Sequence, residues 1–116
     1  MAKTYGVGIL GAGNISGAYL GLAPLFAGLE VRGVADILPD ASRSRSAEFN
    51  VPAMTPDELL KSSDIDVVVN LTVPAAHYGV TIDILSAGKH AYSEKPFVLS
   101  LEEGMAVRKA AEDRNL

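Results

Sequence analysis

The sequence contains no cysteine, so neither a disulfide framework nor a thiolate metal centre can be built from it. Its only histidines, His77 and His90, stand far apart in the chain, which argues against a histidine-rich metal site. No apolar stretch approaches the length needed to cross a bilayer, and only Met1 to Thr4 precede the first apolar run, too few for a secretory signal. The expected compartment is therefore the cytoplasm. The 10 lysines and arginines are not grouped and the net charge is −4, whereas nucleic-acid binding needs clustered cations to neutralise phosphates. There is also no internal repeat, linker or low-complexity tract.

What remains is a chain of 116 residues, 48% hydrophobic and carrying charges of both signs. That describes one globular domain, long enough to bury a core without staples. Residues 5–10 are a short, nearly continuous apolar run, which suits a parallel strand buried on both faces. Residues 11–16 form a glycine turn. Ile15, Ala18, Tyr19, Leu22 and Ala23 then recur at helical spacing until Pro24 must break or kink the helix, and Gly28 closes it. A second strand is expected over 30–35, an exposed helix over 39–49 and a brief third strand over 51–53.

Thr55-Pro56-Asp57-Glu58 reads as a capping box with proline at the first helical position, opening a helix through Lys61 or Ser62. The most strand-like run is 66–71, where three consecutive valines are stiff at χ1. A helix follows over 75–87, capped by Gly88, then a strand over 90–92. Ser100 and Glu103 form a second capping box before a helix that runs to about Arg114. Strands and helices alternate throughout, so the expected fold is α/β: a Rossmann-like, doubly wound parallel sheet with helices on both faces. Such a sheet ordinarily continues past a helix like the last one here, so the chain is expected to be an N-terminal domain cut before its final strand.

Chemistry concentrates first in Gly11-Ala12-Gly13-Asn14-Ile15-Ser16. In a dinucleotide fingerprint the first glycine permits the tight turn, and the second lets the backbone approach a pyrophosphate. The third position needs only a small residue for close packing, a role Ser16 fills. The helix N-terminus at Asn14 and Ile15 supplies unpaired N–H groups for the phosphates. Asp36 lies 20 residues beyond Ser16, at the end of the second strand, where a carboxylate can accept from both ribose hydroxyls. It would repel a 2′-phosphate, so NAD is favoured over NADP. Arg43 and Arg45 keep NADP open, because a side chain from the next helix could reach back.

Ligands in open α/β sheets bind at the carboxyl ends of strands, here at Asn70-Leu71-Thr72-Val73-Pro74 and at Ser93-Glu94-Lys95-Pro96. Both ends should line the crevice that takes the nicotinamide side, and the Glu94-Lys95 pair is where an active-site lysine would sit. His90 reads as structural.

With GILGAGNIS, the VAD ending at Asp36, NLTVPAAHYG, AGKHAYSEKP and the helix after Ser100 in view, the chain resembles the N-terminal domain of the Gfo/Idh/MocA family, the glucose-fructose oxidoreductase and inositol dehydrogenase group. The resemblance implies hydride transfer between a nicotinamide cofactor and a hydroxyl-bearing carbon of a sugar, inositol or related polyol. It places Lys95 near the nicotinamide and the reacting carbon, with Pro96 fixing the turn. It maps the family's Asn/Thr-Pro-x-x-His segment onto Asn70, Thr72, Pro74 and His77, with the Thr72 loop against the nicotinamide ribose. Glu94 looks like a ribose or structural partner. The resemblance also implies that the acid/base residue comes from a C-terminal domain, that the full-length enzyme is a homo-oligomer, and that this fragment alone binds cofactor without turnover. Two alternatives stand beside it: a non-catalytic redox sensor or regulatory module, and a related reductase of biliverdin, a dihydrodiol or an imine.

Overall fold

The computed structural model describes residues 3–116; Met1 and Ala2, at the start of the segment that precedes the first strand, lie outside the described residues. Its sheet has five parallel strands: β1 (Tyr5–Leu10), β2 (Leu29–Ala35), β3 (Ala53–Met54), β4 (Val67–Asn70) and β5 (His90–Ser93). The order β3-β2-β1-β4-β5 puts β1 at the centre, and the chain reverses its direction of travel across the sheet on passing from β3 to β4. That is the switch point at which open α/β sheets bind ligands.

Among the described residues five α-helices connect and flank the strands: α1 (Ser16–Leu22), α2 (Pro39–Phe49), α3 (Pro56–Lys61), α4 (Pro74–Ser86) and α5 (Leu101–Asp113). On one face Val7, Ile9, Val34 and Val69 pack with Leu20 of α1, and Ala41 and Phe49 of α2 join them. On the other, Leu10, Ala35 and Val68 pack with Leu59 of α3 and Ile84 of α4. Val107 of α5 is also buried, and α5 lies against α4. None of the helices described is long and apolar enough to cross a membrane.

The second face works because β1 and β2 carry glycines under α3 and the segments that flank it. A Cβ on Gly6 would run into the Asp64 carbonyl oxygen, and one on Gly8 would lie 2.9 Å from Leu59 Cδ2. One on Gly33 would lie 2.8 Å from Met54 Sδ. The β1–β2 register slips between Val7, opposite Val31, and Gly8, opposite Gly33, leaving Arg32 as an extra residue. This bulge lets Val31 and Val34 both reach the first core, although strict alternation would place them on opposite faces.

Most boundaries fall within a residue or two of the sequence reading, and the differences have local causes. The third strand sits at Ala53–Met54 rather than 51–53: Pro52 has no N–H to donate, its carbonyl accepts from Val34 N–H at 3.0 Å, and Val51 turns into the first core. Pro24 ends α1 and enters a short 3-10 turn, Ala23–Leu25. Thr55 and Glu58 make the full reciprocal capping box. At α5 only half of it forms: Ser100 Oγ accepts from Glu103 N–H at 3.2 Å, but Glu103 Oε1 reaches past Ser100 to Leu99 N–H at 3.0 Å.

The two faces are unequally covered. Beyond α1, the first face of β4 and β5 opens as an apolar groove of about 570 Å³, whose walls include Val67, Val69, Tyr92, Tyr19, Leu22 and Phe26.

Candidate functional site

At the carboxyl end of β1 the chain turns at Gly11, whose φ of +112° is a left-handed value that glycine adopts without strain. A Cβ there would also meet the Leu71 carbonyl at 2.6 Å, so glycine is required twice over. Gly13 differs: it is exposed, its φ is not positive, and a Cβ on it would meet nothing within 4 Å. Nothing in the protein's own packing requires glycine there, and its exposed backbone, bare of a side chain, leaves room for a ligand to approach closely. Ser16, the small third residue, is fully buried and donates from Oγ to the Gly13 carbonyl at 2.6 Å.

Arg45 of α2 braces this turn from outside. Its Nε donates to Ser16 Oγ at 3.1 Å and one terminal nitrogen lies 3.2 Å from the Gly13 carbonyl, while the other pairs with Glu48 at 2.9 Å. Arg43 is exposed and pairs with Asp40 at 3.3 Å. Arg45 is thus engaged at the turn, whereas Arg43 makes only an exposed surface pair.

Asp36 follows β2 and is half-buried beside the turn. Its Oδ2 accepts from Ala12 N–H at 2.7 Å and its Oδ1 from Leu38 N–H at 2.8 Å. An ionised carboxylate offers about four acceptor sites, so two bonds aim the group and leave capacity for ribose hydroxyls.

At the end of β4, Asn70 is fully buried and saturated. Its amide donates to the His77 carbonyl at 3.1 Å and to Thr81 Oγ1 at 3.0 Å, and its oxygen accepts from Thr72 N–H at 3.2 Å and Thr72 Oγ1 at 2.6 Å. His77, in the first turn of α4, is buried as well, with Nδ1 at 2.6 Å from the Pro96 carbonyl and Nε2 at 2.7 Å from the Thr72 carbonyl. Carbonyl oxygens accept only, so the ring donates from whichever nitrogen bears hydrogen. Asn70 and His77 therefore stand behind the Thr72 turn and hold it, with no polar atom left for a ligand. Thr72 is half-buried, and Pro74 begins α4 on the exposed side.

The end of β5 carries Glu94, Lys95 and Pro96, with the Lys95–Pro96 peptide cis. Glu94 Oε1 accepts from Lys95 N–H at 3.2 Å, and Oε2 accepts from the Tyr19 hydroxyl at 2.6 Å. That hydroxyl bond, with help from burial, pushes the Tyr19 phenol up to about 12. The same bond, then the Lys95 N–H, holds the Glu94 carboxyl below the usual glutamate range. The Lys95 side chain is exposed, and its ammonium has no hydrogen bond or ion pair among the described residues.

One rim thus gathers the ends of β1, β2, β4 and β5 with the residues expected to bind the cofactor, whereas His90 lies at the opposite end of β5. Two contributors have roles that the sequence does not show: there Tyr19 is one more apolar residue of a helix stripe and Arg45 only a candidate phosphate ligand, and neither partner can be inferred from local spacing. Lys89, a third such residue, is a buried brace behind the sheet whose Nζ donates to the carbonyls of Ser62 at 2.6 Å and Ile65 at 2.8 Å; burial lowers its pKa. Among the described residues no cluster of three or more His, Cys, Asp or Glu could hold a metal.

Residues 5–116 match the family model described as an oxidoreductase family with an NAD-binding Rossmann fold. An uncharacterised oxidoreductase of Schizosaccharomyces pombe is 41% identical over 76 residues, which cover 65% of this chain and 21% of the relative. Inositol 2-dehydrogenase 2 of Paenarthrobacter aurescens is 33% identical over 110 residues, covering 92% of this chain and 32% of the relative. The crystal structure of an NAD-binding protein from Listeria innocua superposes with a TM-score of 0.91 at 31% identity, covering 97% of this chain and 34% of that one. The chain spans 21% to 32% of the length of these curated relatives.

Proposed function

Because this chain belongs to the Gfo/Idh/MocA oxidoreductase family and is an NAD-binding Rossmann domain, we propose that it is the cofactor-binding part of an enzyme that moves hydride to or from a hydroxyl-bearing carbon of a sugar, inositol or related polyol. The observation that carries the cofactor half is Gly13, a glycine that the protein's own packing does not require, set beside a carboxylate already aimed at the crevice. The substrate class rests on the inositol dehydrogenase among its relatives.

In this reading the backbone at Gly11 and Gly13 and the N–H groups of Asn14 and Ile15 hold the pyrophosphate, and Asp36 accepts from the adenosine ribose. Thr72 and Pro74 flank the nicotinamide ribose, with Asn70 and His77 holding them from behind. Glu94 and Pro96 fix the turn that presents Lys95. Bound nicotinamide supplies a hydride donor or acceptor at C4. The Lys95 ammonium, unengaged and at the open rim, stabilises negative charge developing on the substrate oxygen. The group that exchanges the hydroxyl proton is assigned to a second domain, as the family resemblance implies. NAD is the preferred dinucleotide, since Asp36 would face a 2′-phosphate and Arg45 is engaged at the glycine turn.

Titration calorimetry of the chain with NAD and NADP tests the cofactor half: NAD binds and NADP binds more weakly, and no binding of either removes the reading. In a polypeptide of the relatives' full length, NADH formation from inositols and aldoses tests the rest. There Lys95→Ala should lower kcat by about a hundredfold while leaving NAD affinity close to wild type; undiminished turnover takes Lys95 out of the mechanism.

A further inference from the structure

We propose that Tyr19 is a positioning residue, whose hydroxyl fixes Glu94 and, through it, the turn that presents Lys95, so that the helix following the glycine turn also sets the nicotinamide end of the site. The inference rests on the function proposed above for what that turn does, but its geometry stands apart from it.

Tyr19 lies in α1 directly after the glycine turn, 75 residues before Glu94, and its ring forms part of the wall of the apolar groove. A phenylalanine would fill that wall equally well, so packing gives no reason for the hydroxyl. The hydroxyl instead leaves the groove at its polar rim and donates to Glu94 Oε2 at 2.6 Å, the short distance of a charge-assisted bond. The other Glu94 oxygen takes the Lys95 N–H at 3.2 Å. One residue further on, the Pro96 carbonyl oxygen lies 2.6 Å from His77 Nδ1. The Lys95 backbone thus sits between α1, which reaches it through Glu94, and the His77 ring of α4 beside Pro96, while its side chain stays free. Both members of the Tyr19–Glu94 pair shift as such a bond requires, phenol upward and carboxyl downward. Lys95 and His77 are the other charged or titratable groups around Glu94, and Tyr92 faces Tyr19.

Two measurements on the chain with Tyr19→Phe test the proposal. Carbon-13 spectra of the Glu94 carboxyl across the acid range should show its titration midpoint rising toward that of an ordinary glutamate; an unmoved midpoint means that no such bond exists and overturns the proposal. Calorimetry should show NAD affinity falling about five- to tenfold, with affinity for ADP-ribose, which lacks nicotinamide, unchanged within twofold. Equal losses for both ligands would mark a general loosening and overturn the positioning role. Glu94→Ala, which removes both acceptor oxygens, should weaken NAD comparably and make the added Tyr19→Phe nearly silent, whereas additive losses would refute a shared contact. If the unaltered chain binds neither ligand, the proposed function falls, and the Glu94 titration still decides whether Tyr19 fixes the turn.

Discussion

Asp36 shows how one side chain serves the protein and its ligand together. With Ala12 N–H on one oxygen and Leu38 N–H on the other, the carboxylate is oriented by the chain itself. Asp36→Ala should weaken NAD about tenfold or more, because hydrogen bonds to a charged acceptor contribute about 1.5–3 kcal/mol. It should also narrow the gap to NADP; unchanged selectivity in calorimetry would remove Asp36 from the ribose. Asn70 is the opposite case, since all of its capacity is turned inward. Asn70→Asp keeps the shape but replaces two donors by acceptors facing the His77 carbonyl, and should cost about 2–4 kcal/mol in urea unfolding at neutral pH. The buried carboxyl would hold its proton more tightly folded than unfolded, so the loss should shrink as the pH falls through the carboxylate range. The residues legible in the sequence, Gly11, Gly13, Ser16 and Asp36, belong to one local βαβ unit with fixed spacing. Tyr19 and Arg45 were not legible because their partners are 75 and 29 residues away.

Among the elements, α3 depends most on residues outside itself. Its six residues are fixed by the Thr55–Glu58 box, legible because both partners lie within one turn, and by the bare Gly8 that admits Leu59, which is not. On either side of α3, Gly6→Ala and Gly33→Ala should separate a main-chain obstacle from a side-chain one. At Gly6 the obstacle is the Asp64 carbonyl, main chain that cannot swing aside, and the cost should be about 3 kcal/mol or more. At Gly33 it is Met54 Sδ, the movable end of a flexible side chain, and the cost should stay near 1 kcal/mol. Urea midpoints measured side by side check the ranking. The Arg32 bulge was likewise invisible in the sequence, because β2 slips only in relation to β1, and the third strand was displaced by a proline whose effect depends on which edge of β2 it meets.

At the scale of the molecule, the alternation of strand and helix made the parallel α/β fold legible, while the unequal coverage of its faces emerges only from the strand order. That order puts the earliest strand at the centre: Val7 pairs with Val31 on one side and with Val67 on the other. During synthesis β1 therefore carries an open hydrogen-bonding edge until β4 emerges. The wait is roughly three to twelve seconds at about 5–20 residues per second. Chains ending before Val67 should remain open to protease at β1, and those extending through α5 should be resistant, as pulse digestion of nested lengths would show. The same central placement that brings the glycine turn beside both halves of the crevice thus makes the nascent chain sticky for longest at a strand that ends up buried from Gly6 to Leu10, a hazard of timing rather than of final stability.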